Sequence, residues 1–130
     1  MARAYTVATA ALALGIPPKW LDNVLSHHRI AGVVQERQGI PRKLSIDGLM
    51  VLALTVFMIE ELELSTARAI KIAQEFLKNA GAYESPMGLR LSLDLPAFRA
   101  TLLERLENAV EIAPAPRRGR PATNKTGRLD

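Results

Sequence analysis

The stretch that most limits the possible folds of this chain is residues 7–26, VATAALALGIPPKWLDNVLS. Ala11 and Gly15 stand four residues apart. Two closely crossing helices need a small residue at their contact, and the chain between them needs a residue that tolerates a left-handed turn. Pro17 and Pro18 suit the first turn of a second helix, because proline's fixed φ fits there. The spacing predicts a helix-turn-helix; a generic pair of packed helices is the alternative.

The second predicted helix has an inward and an outward side. Leu21 and Val24 are expected to close onto the first helix, because they repeat at helical spacing. Acidic Asp22 lies on the outward side, where it would repel phosphate. The other outward side chains are polar or basic, and we expect them to read base edges of DNA: Lys19, Asn23 and Ser26.

Two histidines, His27 and His28, end this helix together with Arg29. Cations there complement the helix dipole. Adjacent helical side chains point about 100° apart, and no third ligand is near in sequence, so we predict no metal site. A phosphate contact from His27 or His28 is the alternative to a purely structural role.

The helical pattern ends before residues 30–44, IAGVVQERQGIPRKL, where β-branched residues flank a polar turn. This pattern predicts a short hairpin, roughly residues 33–36 and 42–46. Beside a helix-turn-helix, such a hairpin would be a wing. Its cations Arg37, Arg42 and Lys43 are suited to phosphate contacts. The alternative is that they are solvated turn charges.

Two further helices are predicted in the middle of the chain. Ser45 is a good N-cap for the first, which runs to about Glu61. Its surface is apolar almost all round in residues 49–59, so it is either the central helix or partly covered by a second subunit. That run is shorter than the roughly 20 residues needed to cross a bilayer. Ser65 or Thr66 caps the next helix, which Gly81 ends.

Taken in order, these parts resemble the N-terminal winged-helix domain of the MerR-like regulators and their excisionase-like relatives. The resemblance covers residues 5–77. It rests on the helix-turn-helix, the wing ending in Gly39 and Arg42, the apolar helix opening with SIDGL, and the sequence EELELSTARAI. Members of this family bind DNA as dimers, so the resemblance implies a winged helix-turn-helix fold, double-stranded DNA as ligand and a homodimer.

A strand and a helix are predicted beyond a short linker, residues 82–87. Residues 88–95, GLRLSLDL, alternate strictly, as a half-buried strand does. One strand cannot exist alone, so it should pair with the wing or with its own copy in a second subunit. Pro96 opens an amphipathic helix whose apolar stripe suits dimerisation; packing within the same chain is the alternative. The stripe consists of Phe98, Leu102, Leu106, Ala109 and Val110.

Charge is distributed unevenly along the 130 residues. Residues 1–47 hold six basic and three acidic side chains, residues 48–113 six and nine, and residues 114–130 five and one. Basic ends around an acidic middle are expected of a protein whose two ends face phosphate. The chain has no cysteine, which excludes disulfides and thiolate metal sites.

The tail, residues 113–130, is rich in proline and poor in large apolar side chains, so we expect disorder in the free protein. Its segment PRRGRP resembles an AT-hook, in which an Arg-Gly-Arg core lies in a narrow A·T minor groove. Arg118, Gly119 and Arg120 match that core, and Arg117 adds a cation. A merely solubilising basic tail is the alternative.

The sequence thus predicts a mainly α protein: a winged helix-turn-helix domain (residues 1–81), a strand-helix extension for dimerisation (82–112) and a basic tail (113–130). We expect a cytoplasmic, nucleoid-associated DNA-binding protein that regulates transcription or organises the nucleoid. No catalytic site, metal, cofactor, membrane contact or small-molecule effector is evident. The alternative is a protein-interaction module, antitoxin-like or adaptor, whose apolar helices bind a partner protein.

Overall fold

A computed structural model of the protein describes residues 4–35 and 41–112. These residues are mainly helical and contain five helices and two separate two-stranded antiparallel sheets. No helix within them is both long and apolar enough to cross a membrane. The elements are α1 (Val7–Leu14), α2 (Pro18–His27), β1 (Val33–Val34), β2 (Lys43–Leu44), α3 (Ile46–Leu62), α4 (Thr66–Lys78), β3 (Ala82–Glu84), β4 (Arg90–Ser92) and α5 (Leu95–Ile112).

The turn between α1 and α2 forms as its sequence predicts. Gly15 ends α1 in the left-handed region, at φ 69°, and its N–H donates to the carbonyls of Ala11 and Leu12. A Cβ on Gly15 would meet nothing within 4 Å, so this position needs glycine for its backbone conformation and not for space. Ala11 is buried at 1% exposure. Pro18 is the first residue of α2, where its missing N–H has no helical partner to lose.

The first hairpin is shorter than predicted. Among its described residues, Val33–Val34 pair with Lys43–Leu44, with Val33 opposite Leu44. The prediction that the second strand reaches Ile46 is wrong, because the Ser45 hydroxyl accepts the backbone N–H of Gly48 and Ile46 already belongs to α3. Tyr5 adds a backbone bridge to Leu44, with N···O distances of 2.8 and 2.9 Å.

The base of this hairpin contacts the first turn of α3 through two glycines. Gly32 has φ +89°, and a Cβ there would lie 2.7 Å from the backbone nitrogen of Gly48. The Gly32 carbonyl accepts the N–H of Ser45 at 2.8 Å. Only residues without side chains allow backbones to approach this closely, so the glycines fix the hairpin to α3.

Helix α3 is the central helix. Its residues from Gly48 to Thr55 are buried on every side, and the elements that cover them, chiefly α4, belong to the same chain. Thr55 is the buried polar residue of this helix, and its hydroxyl donates to the Val51 carbonyl at 2.7 Å. The first of the two sequence interpretations, a helix central to its own chain, is therefore confirmed for this segment.

Helix α4 is capped by Ser65, whose hydroxyl accepts the N–H of Arg68 at 3.2 Å. The helix ends at Lys78, three residues before the predicted Gly81. Gly81 still closes the turn, because its N–H donates to the Phe76 carbonyl at 2.7 Å from a φ of +90°. The side of α4 that faces the core is buried at Ala69, Ile70, Ile72, Ala73 and Phe76.

Two predictions for residues 82–95 are wrong. The expected linker contains β3, and the expected long strand is reduced to β4, which pairs with β3 instead of the first hairpin. The turn between them explains this: Gly88 donates to the Ser85 carbonyl at 3.0 Å and has φ +93°, and Pro86 holds the position before Met87. This is a type I turn followed by a left-handed glycine, which closes three-residue hairpin loops.

Helix α5 packs against α1 and α3 of its own chain. Leu102, Leu106 and Ala109 of the predicted stripe are buried at 3% exposure or less, and they join one hydrophobic core with residues of α1 to α4. Val110, which was predicted on the same stripe, is 40% exposed. The structure therefore uses most of this stripe within the chain, as the alternative interpretation expected.

Candidate nucleic-acid interface

The outward side of α2 carries the polar residues that the sequence singled out. Lys19, Asn23 and Ser26 are exposed and line one shallow depression along the helix. They share a side because they are spaced by three, four or seven residues. Trp20 lines the same depression and is half-buried against the core. The core beneath α2 thereby holds this face in place.

Arg42, which immediately precedes β2 on the loop side of the first hairpin, is bound to this side of α2. Its Nη1 lies 3.5 Å from Oδ1 of Asp22, and its Nη2 donates to the Ser26 hydroxyl at 3.3 Å. The Ser26 hydroxyl in turn donates to the Asp22 carbonyl at 2.8 Å. Arg42 is 21% exposed, whereas Asp22 is 55% exposed. The hairpin and α2 therefore present one joined surface.

This contact changes the electrostatics expected for Asp22. An exposed ion pair contributes about 0–1 kcal/mol to stability, so its main effect here is on local charge and geometry. Arg42 offsets the carboxylate that would otherwise repel phosphate. Neighbouring Lys43 is exposed on β2, so the hairpin carries a second cation.

His27 is the last residue of α2, and its Nδ1 lies 2.8 Å from the Asn23 carbonyl. A carbonyl only accepts, so Nδ1 carries the hydrogen in this contact and Nε2 is left as the ring's other polar atom. The contact ties the imidazole to the turn that presents Asn23. His27 is exposed.

A second group of cations, not included among the predicted site residues, lies beyond the end of α2. Arg29, Lys71 and Lys78 line one depression with His28. Glu75 lies in it as well, and its Oε1 accepts the side-chain amide of Asn79 at 3.2 Å. The spacing of Lys71 and Lys78, seven residues apart, could have placed them on one helical face. That Arg29 joins them depends on how α2 packs beside α4, and no local pattern contains that information.

These two cationic regions are connected. A third depression, lined by Ser26, His27, His28, Arg29 and Arg42, lies between them and shares residues with both neighbours. We call the resulting surface the basic belt and define it by its cations: Lys19, Arg29, Arg42, Lys71 and Lys78.

The other predicted contacts, Arg37 in the hairpin loop and Arg117, Arg118, Gly119 and Arg120 in the tail, lie outside the described residues. Within residues 4–35 and 41–112, no group of three or more histidine, aspartate or glutamate side chains is arranged to hold a metal ion.

Comparison with known proteins does not add to this description. No protein-family model, curated protein or solved structure matches the chain. The candidate interface therefore rests on its geometry and charge alone.

Proposed function

We propose that this protein binds double-stranded DNA as a winged helix-turn-helix, with α1 and α2 as the helix pair and the first hairpin as the wing. The observation that carries the proposal is the contact of Arg42 with Asp22 and Ser26. It holds Arg42, the residue before β2, beside the polar side of α2. We further propose that the protein acts in the cytoplasm, in regulating transcription or in organising the nucleoid.

The exposed side of α2 is suited to the major groove, which admits an α-helix. Asn23 has the side chain that pairs with adenine through two hydrogen bonds, and Lys19 is a further donor to base edges. The Ser26 hydroxyl is engaged with Arg42 and Asp22 and holds them in place beside these two residues. Arg42 and Lys43 would contact phosphates at the groove's margin and so fix the register of the helix.

The basic belt supports contact with DNA over more than the width of one helix. Each phosphate that it neutralises releases counterions, so affinity should fall steeply as salt rises. The proposed tail contact, through Arg117, Arg118, Gly119 and Arg120, would add minor-groove binding beside it.

A salt titration of the full chain on random-sequence duplex DNA, followed by fluorescence anisotropy, tests the proposal. We expect binding at low salt, and we expect the triple variant Lys19→Ala, Asn23→Ala, Arg42→Ala to weaken it. The variant Arg90→Ala, Arg105→Ala removes two exposed cations outside the belt and is the control. Absence of binding at low salt, or an equal loss in the control, would overturn the proposal.

Deletion of residues 114–130 separates the tail from the helical surface. If the tail binds the minor groove, its deletion should lower the affinity and the salt slope while leaving measurable binding. If deletion abolishes binding and the triple variant changes nothing, the helix pair is only a scaffold for the tail.

We also propose a homodimer. Most of the apolar stripe of α5 is used inside the chain, so we assign the dimer contact to two exposed apolar residues of this helix, Leu103 and Val110, which are seven residues apart. Sedimentation at tens of micromolar should show a dimer that Leu103→Glu weakens. A monomer throughout that range would contradict this part of the proposal.

A protein-interaction module is the second candidate. It is favoured by apolar side chains that remain exposed on α3 and on the second hairpin: Phe57 at 45%, Leu62 at 50%, Met87 at 95% and Leu89 at 60%. Scattered exposed apolar residues are common, so the joined α2 and hairpin surface has more weight. A chain that binds no DNA while the variants Phe57→Ser or Met87→Ser lose a protein partner would favour this candidate.

A further inference from the structure

One cleft of the described residues lies where three helices meet, away from the outward side of α2. Residues one helical turn apart line it from the start of α3, the end of α4 and the start of α5. We call it the three-helix cleft and define it by its floor, Met50, Leu77 and Leu95, and its rim, Asp47, Lys78 and Arg99. We propose that the three-helix cleft binds a small apolar molecule that ends in a carboxylate.

The size and floor of the cleft fit such a molecule. Its volume is about 640 Å³, and small-molecule sites span roughly 300–1,000 Å³. On its floor, Met50 is 1% exposed and Leu77 and Leu95 are half-buried. Val51, which is 3% exposed, lies next to Met50 and also lines the cleft. A polyhydroxylated ligand would leave polar groups unpaired against these side chains, whereas an apolar chain would lose only its contact with water.

The rim selects the charge of the ligand. Two cations, Lys78 and Arg99, stand there against one carboxylate, Asp47. Nη1 of Arg99 lies 3.7 Å from Oδ1 of Asp47, which is beyond hydrogen-bonding distance. Within the described part of the chain, Arg99 makes no hydrogen bond with its side chain and Lys78 forms no ion pair. These N–H donors can therefore bind a carboxylate directly, and a guanidinium matches it with two parallel hydrogen bonds.

Two of the residues that line the cleft have small side chains, which leave room for a ligand. Ala31 precedes the first hairpin and Ala80 follows α4, and both line the cleft with a single methyl group. Ala80 has φ 52°, a left-handed conformation that costs a residue with a Cβ roughly 1–2 kcal/mol. Ala31 is exposed, so a larger side chain there would obstruct the cleft without entering the core.

Decanoate, decan-1-ol and decyltrimethylammonium are suitable probes, because they share one chain and differ in charge. Isothermal titration calorimetry on the full chain, below the concentrations at which the probes aggregate, should rank decanoate first and the cation last. Backbone amide NMR shifts caused by decanoate should map to Met50, Leu77 and Arg99. Tighter binding of the cation than of decanoate, or no binding of decanoate, would overturn the proposal.

Three variants locate the binding. Lys78→Gln and Arg99→Gln should each weaken decanoate on the order of fivefold and leave decan-1-ol unchanged. Ala31→Phe should weaken both probes. Arg105→Gln, an exposed cation of α5 outside the cleft, is the matched control and should change neither. If Ala31→Phe leaves decanoate binding intact, or if the control weakens it equally, the probe binds elsewhere and the proposal fails.

Thermal unfolding of each variant without probe shows whether it still folds, so a lost site is distinguished from a lost structure. The titrations contain no DNA. Their failure would leave the DNA-binding proposal standing, and a protein that binds no DNA could still bind decanoate here.

Discussion

Both β-hairpins leave the helical body from a glycine in the left-handed region, Gly32 at φ +89° and Gly81 at φ +90°. In each case a Cβ would strike backbone atoms, at Gly48 for the first and at Leu93 for the second. A shared need for close backbone approach explains why both hairpins begin at the same residue type.

The two hairpins differ in what surrounds them. The first buries Leu44 completely, gains a backbone bridge from Tyr5, and contacts the basic belt through Arg42. In the second, Tyr83 and Leu91 are half-buried and the other strand residues are exposed, with an ion pair between Arg90 Nε and Glu84 Oε2 at 3.6 Å. Both hairpins thus begin at a left-handed glycine, but the first is packed into the core and joins the proposed DNA surface, whereas the second is largely exposed to solvent.

The largest expected effect tests this difference in burial. Leu44→Ala removes a fully buried side chain and should lower the free energy of unfolding by about 2–5 kcal/mol. Leu91→Ala, in the second hairpin, should cost about 1 kcal/mol, because its side chain is only half-buried. Urea denaturation of both variants makes the measurement. Equal losses would mean that the second hairpin is as firmly integrated as the first.

Glycine substitutions come next in size. Gly32→Ala and Gly81→Ala combine an unfavourable φ with a backbone collision and should each cost about 2–3 kcal/mol. Gly88→Ala, at the turn of the second hairpin, has φ +93° but nothing within 4 Å of its Cβ, so it isolates the conformational cost of about 1 kcal/mol. In thermal unfolding, the Gly32→Ala and Gly81→Ala variants should therefore melt at lower temperatures than the Gly88→Ala variant. A Gly88 variant as unstable as the Gly32 variant would show that crowding is irrelevant.

Removing one arginine from each hairpin tests their proposed roles in binding. Arg42→Gln should reduce the salt slope of DNA binding by about 1, the value for one phosphate contact, whereas Arg90→Gln should leave the slope unchanged. Both side chains form exposed or partly exposed ion pairs, so stability should change by less than about 1 kcal/mol in either variant. An equal fall in slope for both would place the second hairpin on the DNA as well.

The smallest expected effect is at the turn of the second hairpin. Met87 is 95% exposed, so Met87→Ser should change stability by less than about 0.5 kcal/mol. The urea denaturation curve of Met87→Ser should therefore superimpose on that of the unmodified protein, whereas the curve of Leu44→Ala should shift to lower urea concentration. A marked loss would indicate that this side chain is buried in the protein in solution, for example against a second copy.

The sequence predicted the second hairpin less well than the first, and the reason is visible in particular residues. Strict alternation from Leu89 to Leu95 suggested one long strand, but Leu89 is 60% exposed and Leu95 begins α5. The segment Ser85–Gly88 contains a turn signal, with proline followed two residues later by glycine, that would have predicted the hairpin. Strand β3 itself, Ala82–Glu84, is too short to show a period.

The candidate interface was predictable only where its residues are close together in the sequence. Residues exposed on α2 follow from helical spacing, so Lys19, Asn23 and Ser26 could be found from the chain alone. The position of Arg42 against Asp22 joins residues 20 apart in sequence, and Arg29 joins Lys71 and Lys78 from farther still. Neither pairing follows from any local pattern.

By itself, the sequence determined the features that depend on a few neighbouring residues: the left-handed turn at Gly15, the serine caps of α3 and α4, and the helical faces. These are set by backbone sterics and by hydrogen bonds within about one turn. The tertiary structure alone decided which hairpin is embedded, how the basic belt continues from α2 to α4, and that three helices leave a cleft between them. Those outcomes depend on how apolar faces far apart in sequence pack together. A periodic pattern indicates that a face is buried, but it does not identify the element against which that face packs.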